Sequence, residues 1–281
     1  MTYPSELILG PPGCGKTHTL IEIVRDALSR GVEPDRIGYV SFTKKAVTEA
    51  VERAGSAFNL TPKSLPYFRT LHSLGYSGLG LSQSDLMARE DWKEFSRMMG
   101  MNFDGIIVSD ADDGLILPQG RDHDRYLRMI DRAALRCVTL GEEYNDQRNY
   151  DLDFFMLFKI WRGLQKYKSD YGKVSFTDMI SGYVKQGSAP KLEILIVDEA
   201  QDLVPLQWKM VEVLAQNSDK TYFAGDDDQA IHRWAGVDVN LFMNCSQNVR
   251  TLKKSYRLPR SAYDLANSVV KRIHNRKQKA F

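Results

Sequence analysis

The amino-acid sequence predicts an α/β fold, a parallel sheet of the P-loop kind with helices on both faces and a mostly helical inserted subdomain. Three observations lead to this prediction. The glycine-rich stretch GPPGCGKT, residues 10–17, lies between a short apolar strand and a helical repeat of apolar residues. Short apolar strands alternate with helical patterns before and after the middle of the chain, which is typical of a parallel sheet. Residues 77–173, between these two parts, show helical patterns almost throughout.

The glycine-rich stretch matches the phosphate-loop pattern, which requires glycine at its first and sixth positions, then lysine, then serine or threonine. Gly10, Gly15, Lys16 and Thr17 meet these requirements. Glycines allow backbone N–H groups to face an anion, and the helix that follows adds the positive end of its dipole. The pattern therefore predicts a triphosphate site in which Lys16 reaches the β- and γ-phosphates and the Thr17 hydroxyl holds Mg²⁺. The other predicted nucleotide contacts are Pro11, Pro12, Gly13, Cys14 and His18.

Before the insertion, the chain has a β-α-β-α pattern. The first strand spans residues 6–9, and the first helix is expected to end near Arg30 because Gly31 is a suitable C-cap. A second strand at residues 36–43 leads into a helix at residues 44–55. This is the beginning of a parallel sheet.

After the insertion, the strand pattern resumes. A buried strand is predicted at residues 192–197, a helix starts at Pro205, and another strand covers residues 220–226. A strand-like stretch and a further helix follow within residues 251–281.

Two carboxylates come directly after the buried strand at residues 192–197. Asp198 is the first of them, so it is expected at the C-terminal edge of the sheet, where ligands of open α/β sheets lie. We expect Asp198 to hold Mg²⁺ together with Thr17, and Glu199 to orient or deprotonate an attacking water. Considered alone, the pair could also be a solvated acidic turn.

Composition limits the classes of function. A hydrophobic content of 43% and a charged content of 26% describe a soluble globular protein, and a net charge of +2 means that local patches would have to carry any nucleic-acid binding. The three cysteines are widely spaced and form no CxxC pair, which indicates a reducing compartment and no zinc site. We expect a cytoplasmic protein with no membrane partner, since no signal sequence or membrane-length apolar run occurs.

The block GDDDQAIHRWAG, residues 225–236, is more specific than a general nucleotide-binding pattern. It resembles the third motif of the UvrD/Rep-type superfamily 1 DNA helicases. Five further blocks resemble helicase motifs I, Ia, Ib, II and IV in the family's order. They are GPPGCGKT (10–17), SFTKKA (41–46), TLHS (70–73), VDEAQD (197–202) and SYR (255–257).

The resemblance implies a RecA-like motor domain at residues 1–76 and 174–250, a helical accessory insertion at 77–173 and the start of a second RecA-like domain at 251–281. It implies an ATP- and Mg²⁺-dependent DNA helicase that hydrolyses ATP, binds single-stranded DNA or a single-strand/double-strand junction, and moves 3′-to-5′. We expect the rest of the second motor domain, with motifs V and VI, to be missing from this chain. Little unwinding is therefore expected from the chain alone.

The resemblance also implies roles for single residues. Gln229 would contact the γ-phosphate, Arg257 would act as an arginine finger, and Tyr256 would stack on the adenine. Trp234 would stack on a base of the single strand, which suits binding that tolerates any base sequence. The other residues of this strand track would be Phe42, Thr43, Lys44, Thr70 and His72.

Several of these residues have a plainer alternative. Phe42 alternates with Val40 on a strand and would then belong to the core. Lys44 would be a solvated residue at a helix start, and His72 a structural histidine.

The chain departs from the family pattern in places. No glutamine precedes Gly10, although the family reads adenine with one there, and His18, His232 and Ala235 replace the residues usual at their positions. A second hypothesis is a non-catalytic module that binds single-stranded nucleic acid or docks a partner while keeping a helicase-like fold. A third is an unrelated P-loop ATPase or kinase, against which the block at 225–236 argues. The sequence does not decide the oligomeric state.

Overall fold

The computed structural model describes residues 3–105, 123–147, 151–273, 276, 277 and 279 of the 281-residue chain. The described chain divides into two compact units. Unit 1 comprises Met1–Leu71, Ala189–Leu203 and Val211–Phe281, and unit 2 comprises His72–Ser188 and Val204–Met210. The insertion predicted at residues 77–173 falls inside unit 2.

Unit 1 is built on a six-stranded sheet. The strands are β1 (Ser5–Leu9), β2 (Ile37–Ser41), β3 (Phe68–Thr70), β4 (Leu192–Asp198), β5 (Ser218–Gly225) and β6 (Val249–Thr251). Their order across the sheet is β3-β2-β4-β5-β1-β6, and each described pairing is parallel. The predicted α/β class with a parallel sheet is confirmed.

Both faces of the sheet are covered. The consecutive residues 7–9 of β1 and 195–197 of β4 are buried, and successive strand residues point to opposite faces. Helices α1 (Lys16–Ser29) and α2 (Lys44–Phe58) contribute Leu20 and Ala50 to the core cluster that contains Ile8. This arrangement brings the C-terminal ends of β1, β4 and β5 to one edge of the sheet.

Nine further α-helices are described, some in unit 1 and some in unit 2. These helices are α3 (Leu71–Gly78), α4 (Arg89–Met99), α5 (Asp124–Arg136), α6 (Leu140–Gln147), α7 (Phe154–Tyr171), α8 (Phe176–Gln186), α9 (Pro205–Gln216), α10 (Val239–Met243) and α11 (Arg260–Val270). In unit 2, Trp92 and Phe95 of α4 share a core with Leu127 of α5 and Leu164 of α7. The prediction of a mostly helical subdomain is confirmed. No helix in the described residues combines the length and the apolar character needed to cross a bilayer.

The segment 251–281 begins within the sheet of unit 1. Thr251 is the last residue of β6, which pairs with β1. Helix α11 follows and buries none of its residues. The assignment of this segment to a second RecA-like domain stays a prediction.

Candidate functional site

The phosphate loop joins β1 to α1. Gly13 and Gly15 have φ angles of 72° and 87°, in the left-handed region that glycine adopts most readily. Helix α1 starts at Lys16, and its first turn contains no acidic residue, so the positive end of the helix dipole is not neutralised locally. The buried Lys16 donates a hydrogen bond from Nζ to the Gly10 carbonyl at 3.0 Å. The local geometry is that of an anion site at a helix N-terminus.

The neighbouring side chains differ in exposure. Thr17 is half-buried, and His18 is exposed on the face of α1 that lines a groove with α2. A Cβ atom at Gly10 would overlap with the Cys14 Sγ, so the loop closes tightly on this buried thiol. Burial raises the pKa of the Cys14 thiol, which suits a packing residue better than a nucleophile.

Asp198 ends β4 and lies buried at the same edge. Its Oδ2 accepts a hydrogen bond from the Tyr39 hydroxyl at 2.5 Å, and its Oδ1 accepts one from the Glu199 backbone N–H at 2.9 Å. Burial, and then the charge of Glu199, raises the pKa of Asp198 to about 6, while the positive charge of Lys16 acts in the opposite direction. The positive charge of Lys16 thus favours the ionised form of Asp198. Sequence periodicity marked Tyr39 only as apolar strand and missed its contact with Asp198.

Glu199 follows Asp198 with a left-handed backbone. Its φ of 50° is unfavourable for a residue with a side chain and re-aims the chain directly after the strand. Asp202 lies in the turn that follows, and burial together with the charge of Glu199 raises its pKa to about 7. Three carboxyl groups therefore crowd the end of β4.

The loop after β5 contains the acidic triad, Asp226, Asp227 and Asp228. Gln229 donates from its amide to Asp226 Oδ2 at 2.7 Å. The buried Lys279 ammonium lies 2.7 Å from Asp227 and 2.8 Å from Asp228, and it also contacts Asp226. The sequence analysis did not predict Lys279 as a partner of these acids. The three consecutive aspartates were the signal, because buried neighbouring carboxylates require a nearby positive charge.

The segment 255–257 lies against the phosphate loop. The Tyr256 backbone N–H donates to the Gly13 carbonyl at 2.8 Å, and the Ser255 hydroxyl donates to the Pro12 carbonyl at 2.9 Å. A Cβ atom at Gly13 would overlap with the Cβ of Arg257. The structure thus brings two predicted nucleotide contacts, Tyr256 and Arg257, beside the loop.

An aromatic row extends from the end of β2. The Phe42 ring lies 6.2 Å from His232, which lies 6.1 Å from Trp234. The Trp234 side chain is 54% exposed although it is a large aromatic ring. His232, which departs from the family pattern, lies between two predicted strand contacts, Phe42 and Trp234.

The remaining predicted strand contacts occupy different settings. Thr43 caps α2 by accepting the Ala46 N–H at 3.2 Å, and the exposed Lys44 starts that helix. Thr70 ends β3 opposite Ser41 of β2. Thr43 and Lys44 thus follow β2 in the chain, and Thr70 lies beside the end of β2 on the neighbouring strand.

His72 belongs to unit 2, where its ring contacts Phe176 edge-on at 5.7 Å. Burial lowers the pKa of His72 to about 4, so the ring is neutral at pH 7. This setting suits the structural alternative, and a contact of His72 with DNA stays a prediction.

Together, these features define a class: a P-loop nucleotide-binding domain with an acidic strand end and an exposed aromatic loop at one sheet edge. The profile of the UvrD/REP helicase N-terminal domain matches residues 4–250. The chain belongs to this family.

Curated relatives agree with this assignment. The ATP-dependent DNA helicase Rep of Buchnera aphidicola subsp. Baizongia pistaciae is 24% identical over 94% of this chain and 40% of its own length. The putative ATP-dependent DNA helicase YjcD of Bacillus subtilis is 24% identical over 96% of this chain and 37% of its own length. The ATP-dependent DNA helicase PcrA of Leuconostoc citreum is 27% identical with the same coverage, 96% and 37%. The chain thus spans 37% to 40% of the length of these relatives.

Among solved structures, VirB4 of Thermoanaerobacter pseudethanolicus matches 98% of this chain and 85% of its own with a TM-score of 0.31 at 12% identity. A TM-score this low does not establish a shared fold. The fold assignment rests on the strand order of this chain.

Proposed function

We propose that the chain is the nucleotide- and strand-binding motor domain of an ATP-dependent DNA helicase. The main support is the convergence of Lys16, Asp198 and the segment 255–257 on one edge of the sheet. A lysine, a strand-end acid and an arginine around a glycine loop are what triphosphate hydrolysis requires. A 3′-to-5′ direction is part of the proposal and rests on the family resemblance.

The donors at this edge fit Mg²⁺. Hydroxyl and carboxylate oxygens, here Thr17 and Asp198, are its preferred ligands. Each Asp198 oxygen has a second lone pair beyond the hydrogen bond that it accepts. Among the described residues, no group of three or more His, Cys, Asp or Glu side chains is arranged to hold a metal. That does not argue against Mg²⁺, because one or two protein oxygens suffice when phosphates and water complete its shell.

The proposed chemistry is in-line attack of water on the γ-phosphorus of ATP, which breaks the bond to the bridging oxygen and releases ADP and inorganic phosphate. When bound, Mg²⁺ would offset charge on the β- and γ-phosphates. Lys16 would bind the same phosphates, and Glu199 would orient the water and accept its proton. Gln229 would contact the γ-phosphate, and Arg257 would stabilise the negative charge that develops there. Tyr256, whose ring is exposed next to the loop, would stack on the adenine.

The aromatic row supports the strand-binding half of the proposal. Stacking of bases on exposed aromatic rings accounts for binding that ignores base sequence. Trp234 offers an exposed ring, and the half-buried rings of Phe42 and His232 lie beside it in the row. Lys44 and the hydroxyls of Thr43 and Thr70 would contact the backbone of the strand, and His72 is the least supported contact because it packs on Phe176.

Two variants test the proposal on the chain itself. Binding of a fluorescent ATP analogue is measured with and without Mg²⁺, and binding of a thymidine oligonucleotide is measured at several salt concentrations. Lys16→Ala is expected to weaken analogue binding by about 100-fold or more, because it removes the ammonium from the phosphates. Trp234→Ala is expected to lower oligonucleotide affinity about tenfold, within the range for one stacked base.

The outcomes separate the competing functions. Mg²⁺-dependent binding of the analogue that is lost in Lys16→Ala supports the proposal of a helicase motor domain. A wild-type chain that binds the oligonucleotide in a salt-sensitive way but binds no nucleotide would instead favour the non-catalytic module.

A further inference from the structure

Gln201 is a buried side chain whose amide nitrogen and amide oxygen both form hydrogen bonds. It lies in the turn after β4 and is 2% exposed. Its amide nitrogen donates to Glu199 Oε2 at 2.9 Å and to Asp202 Oδ2 at 3.0 Å, and its Oε1 accepts the Asp226 backbone N–H at 3.1 Å. The reversed amide would turn its oxygen toward two carboxylates, so the partners determine its orientation.

These bonds continue to a second loop. Asp226, whose N–H is bound by Gln201, accepts the Gln229 amide on its Oδ2 at 2.7 Å. Hydrogen bonds therefore connect Glu199 to Gln201, Gln201 to the backbone of Asp226, and the side chain of Asp226 to Gln229. All four residues belong to unit 1.

Gly225 makes this series sterically feasible. A Cβ atom at position 225 would overlap with Gln201 Oε1 and crowd the Phe242 ring. The glycine at the end of β5 thus allows the amide to reach the backbone of the next residue.

We propose that Gln201 is a positioning residue that holds the Glu199 carboxylate and links it to the loop that carries Gln229. The inference rests on the proposed function, in which Glu199 orients the water and Gln229 contacts the γ-phosphate. The Glu199 side chain is half-buried, and the hydrogen bond from the Gln201 amide favours one orientation of its carboxylate. Because the same amide holds Asp226, a displacement of the Gln229 loop by nucleotide is passed to Glu199.

The chain offers a matched control, Gln207. It is also 2% exposed, and its Oε1 also accepts a backbone N–H, that of Val204, at 3.0 Å. Gln201→Met and Gln207→Met therefore remove the same buried group and the same kind of bond. Gln207 belongs to unit 2 and has no part in the series described above.

The first measurement needs no ligand. Hydrogen exchange of the Asp226 amide is expected to quicken at least tenfold in Gln201→Met and to stay at the wild-type rate in Gln207→Met. Gln201→Glu is the second variant. It keeps an oxygen for the Asp226 N–H but turns a second oxygen toward Glu199 and Asp202, so exchange at Asp226 is expected to be faster than in wild type at pH 8 and to approach the wild-type rate at low pH, where the added carboxyl is protonated.

The second measurement is a double-mutant cycle on the Kd of a non-hydrolysable ATP analogue with Mg²⁺, which requires no turnover. Gln201→Met and Gln229→Ala are expected to be non-additive by at least threefold, whereas Gln207→Met and Gln229→Ala are expected to be additive. Additive effects at positions 201 and 229, or unchanged exchange at Asp226 in Gln201→Met, would overturn the inference alone. A wild-type chain without analogue binding would overturn the proposed function and this role with it.

Discussion

Two sets of buried acids, one in each unit, are held in opposite ways. In unit 2, Glu143 is completely buried between Arg132 and Arg136, and Asp178 lies 2.6 Å from Lys168. Burial alone would raise the pKa of Asp178, but Lys168 and the bonds from Ser175 outweigh it and lower the pKa. At the end of β4 in unit 1, burial and the charge of Glu199 instead raise the pKa values of Asp198 and Asp202.

The difference separates two uses of a buried acid. An acid that is paired within the fold stabilises it as long as both partners remain. Acids crowded together with raised pKa values cost folding energy, and such sites are typical of function. The end of β4 therefore has the electrostatics of a site that becomes favourable when a cation binds.

The largest expected effect is the loss of a paired acid. Glu143→Gln leaves Arg132 and Arg136 without their shared carboxylate, and we expect the free energy of unfolding to fall by about 2 to 3 kcal/mol. Urea denaturation followed by circular dichroism measures this change. Asp170→Asn, which breaks an exposed pair with Lys166 in the same unit, serves as the control and is expected to cause no measurable change. Equal effects of the two substitutions would contradict the comparison.

Asp198, whose pKa is raised, should respond in the opposite direction. Asp198→Asn is expected to stabilise the ligand-free chain by about 1 to 2 kcal/mol at pH 8, because it removes a buried charge, and to weaken Mg²⁺-dependent nucleotide binding at least tenfold. The folded-state pKa of Asp198 is raised from 3.8 to about 6. Its contribution to stability is therefore fully present below about pH 4 and is lost as the pH rises through about 6.

This sign gives the pH test of Asp198→Asn. The stability advantage of the variant should be absent near pH 4 and should develop between about pH 4 and 7. Denaturation curves of both proteins across this range measure it. A variant that is less stable than wild type at pH 8 would show that Asp198 is a stabilising acid like Glu143 and Asp178.

The smallest expected effect concerns hydroxyl donors to the two kinds of acid. Tyr39→Phe removes the donor to Asp198 and is expected to cost about 1 kcal/mol and to weaken Mg²⁺–nucleotide binding a few-fold. Tyr167→Phe removes a comparable donor to Asp91, which keeps Lys173 at 3.0 Å, so a smaller loss and unchanged nucleotide binding are expected. The same urea and analogue titrations compare them. A larger loss of unfolding free energy in Tyr167→Phe than in Tyr39→Phe would contradict the comparison between the two kinds of acid.

Much of the site could be predicted because its chemistry lies in contiguous stretches. The order of glycines, Lys16 and Thr17 determines a strand–loop–helix turn, since Gly13 and Gly15 allow the left-handed backbone that the turn requires. Asp198 could be placed at the sheet edge because it directly follows an apolar run. The roles given to Gln229, Arg257 and Trp234 came from resemblance, and they stay predictions.

The missed residues act across long separations. Tyr39 bonds Asp198 from 159 residues away, and Lys279 reaches Asp226 from 53 residues away. Tyr39 sits in an apolar strand, where the period-two pattern predicts burial and is silent about which group its hydroxyl meets. Gln201 lies inside a recognised block, yet its partners at position 226 depend on the approach of β5 to β4.

The sequence alone determined the α/β class, the phosphate loop and the position of the acids at a strand end, because local backbone preferences and hydrophobic periodicity are properties of neighbouring residues. Only the tertiary structure decided that Tyr39 holds Asp198, that Gln201 joins two loops, and that Arg257 packs on Gly13. Those contacts depend on strand order and register, which bring together side chains that no local pattern relates.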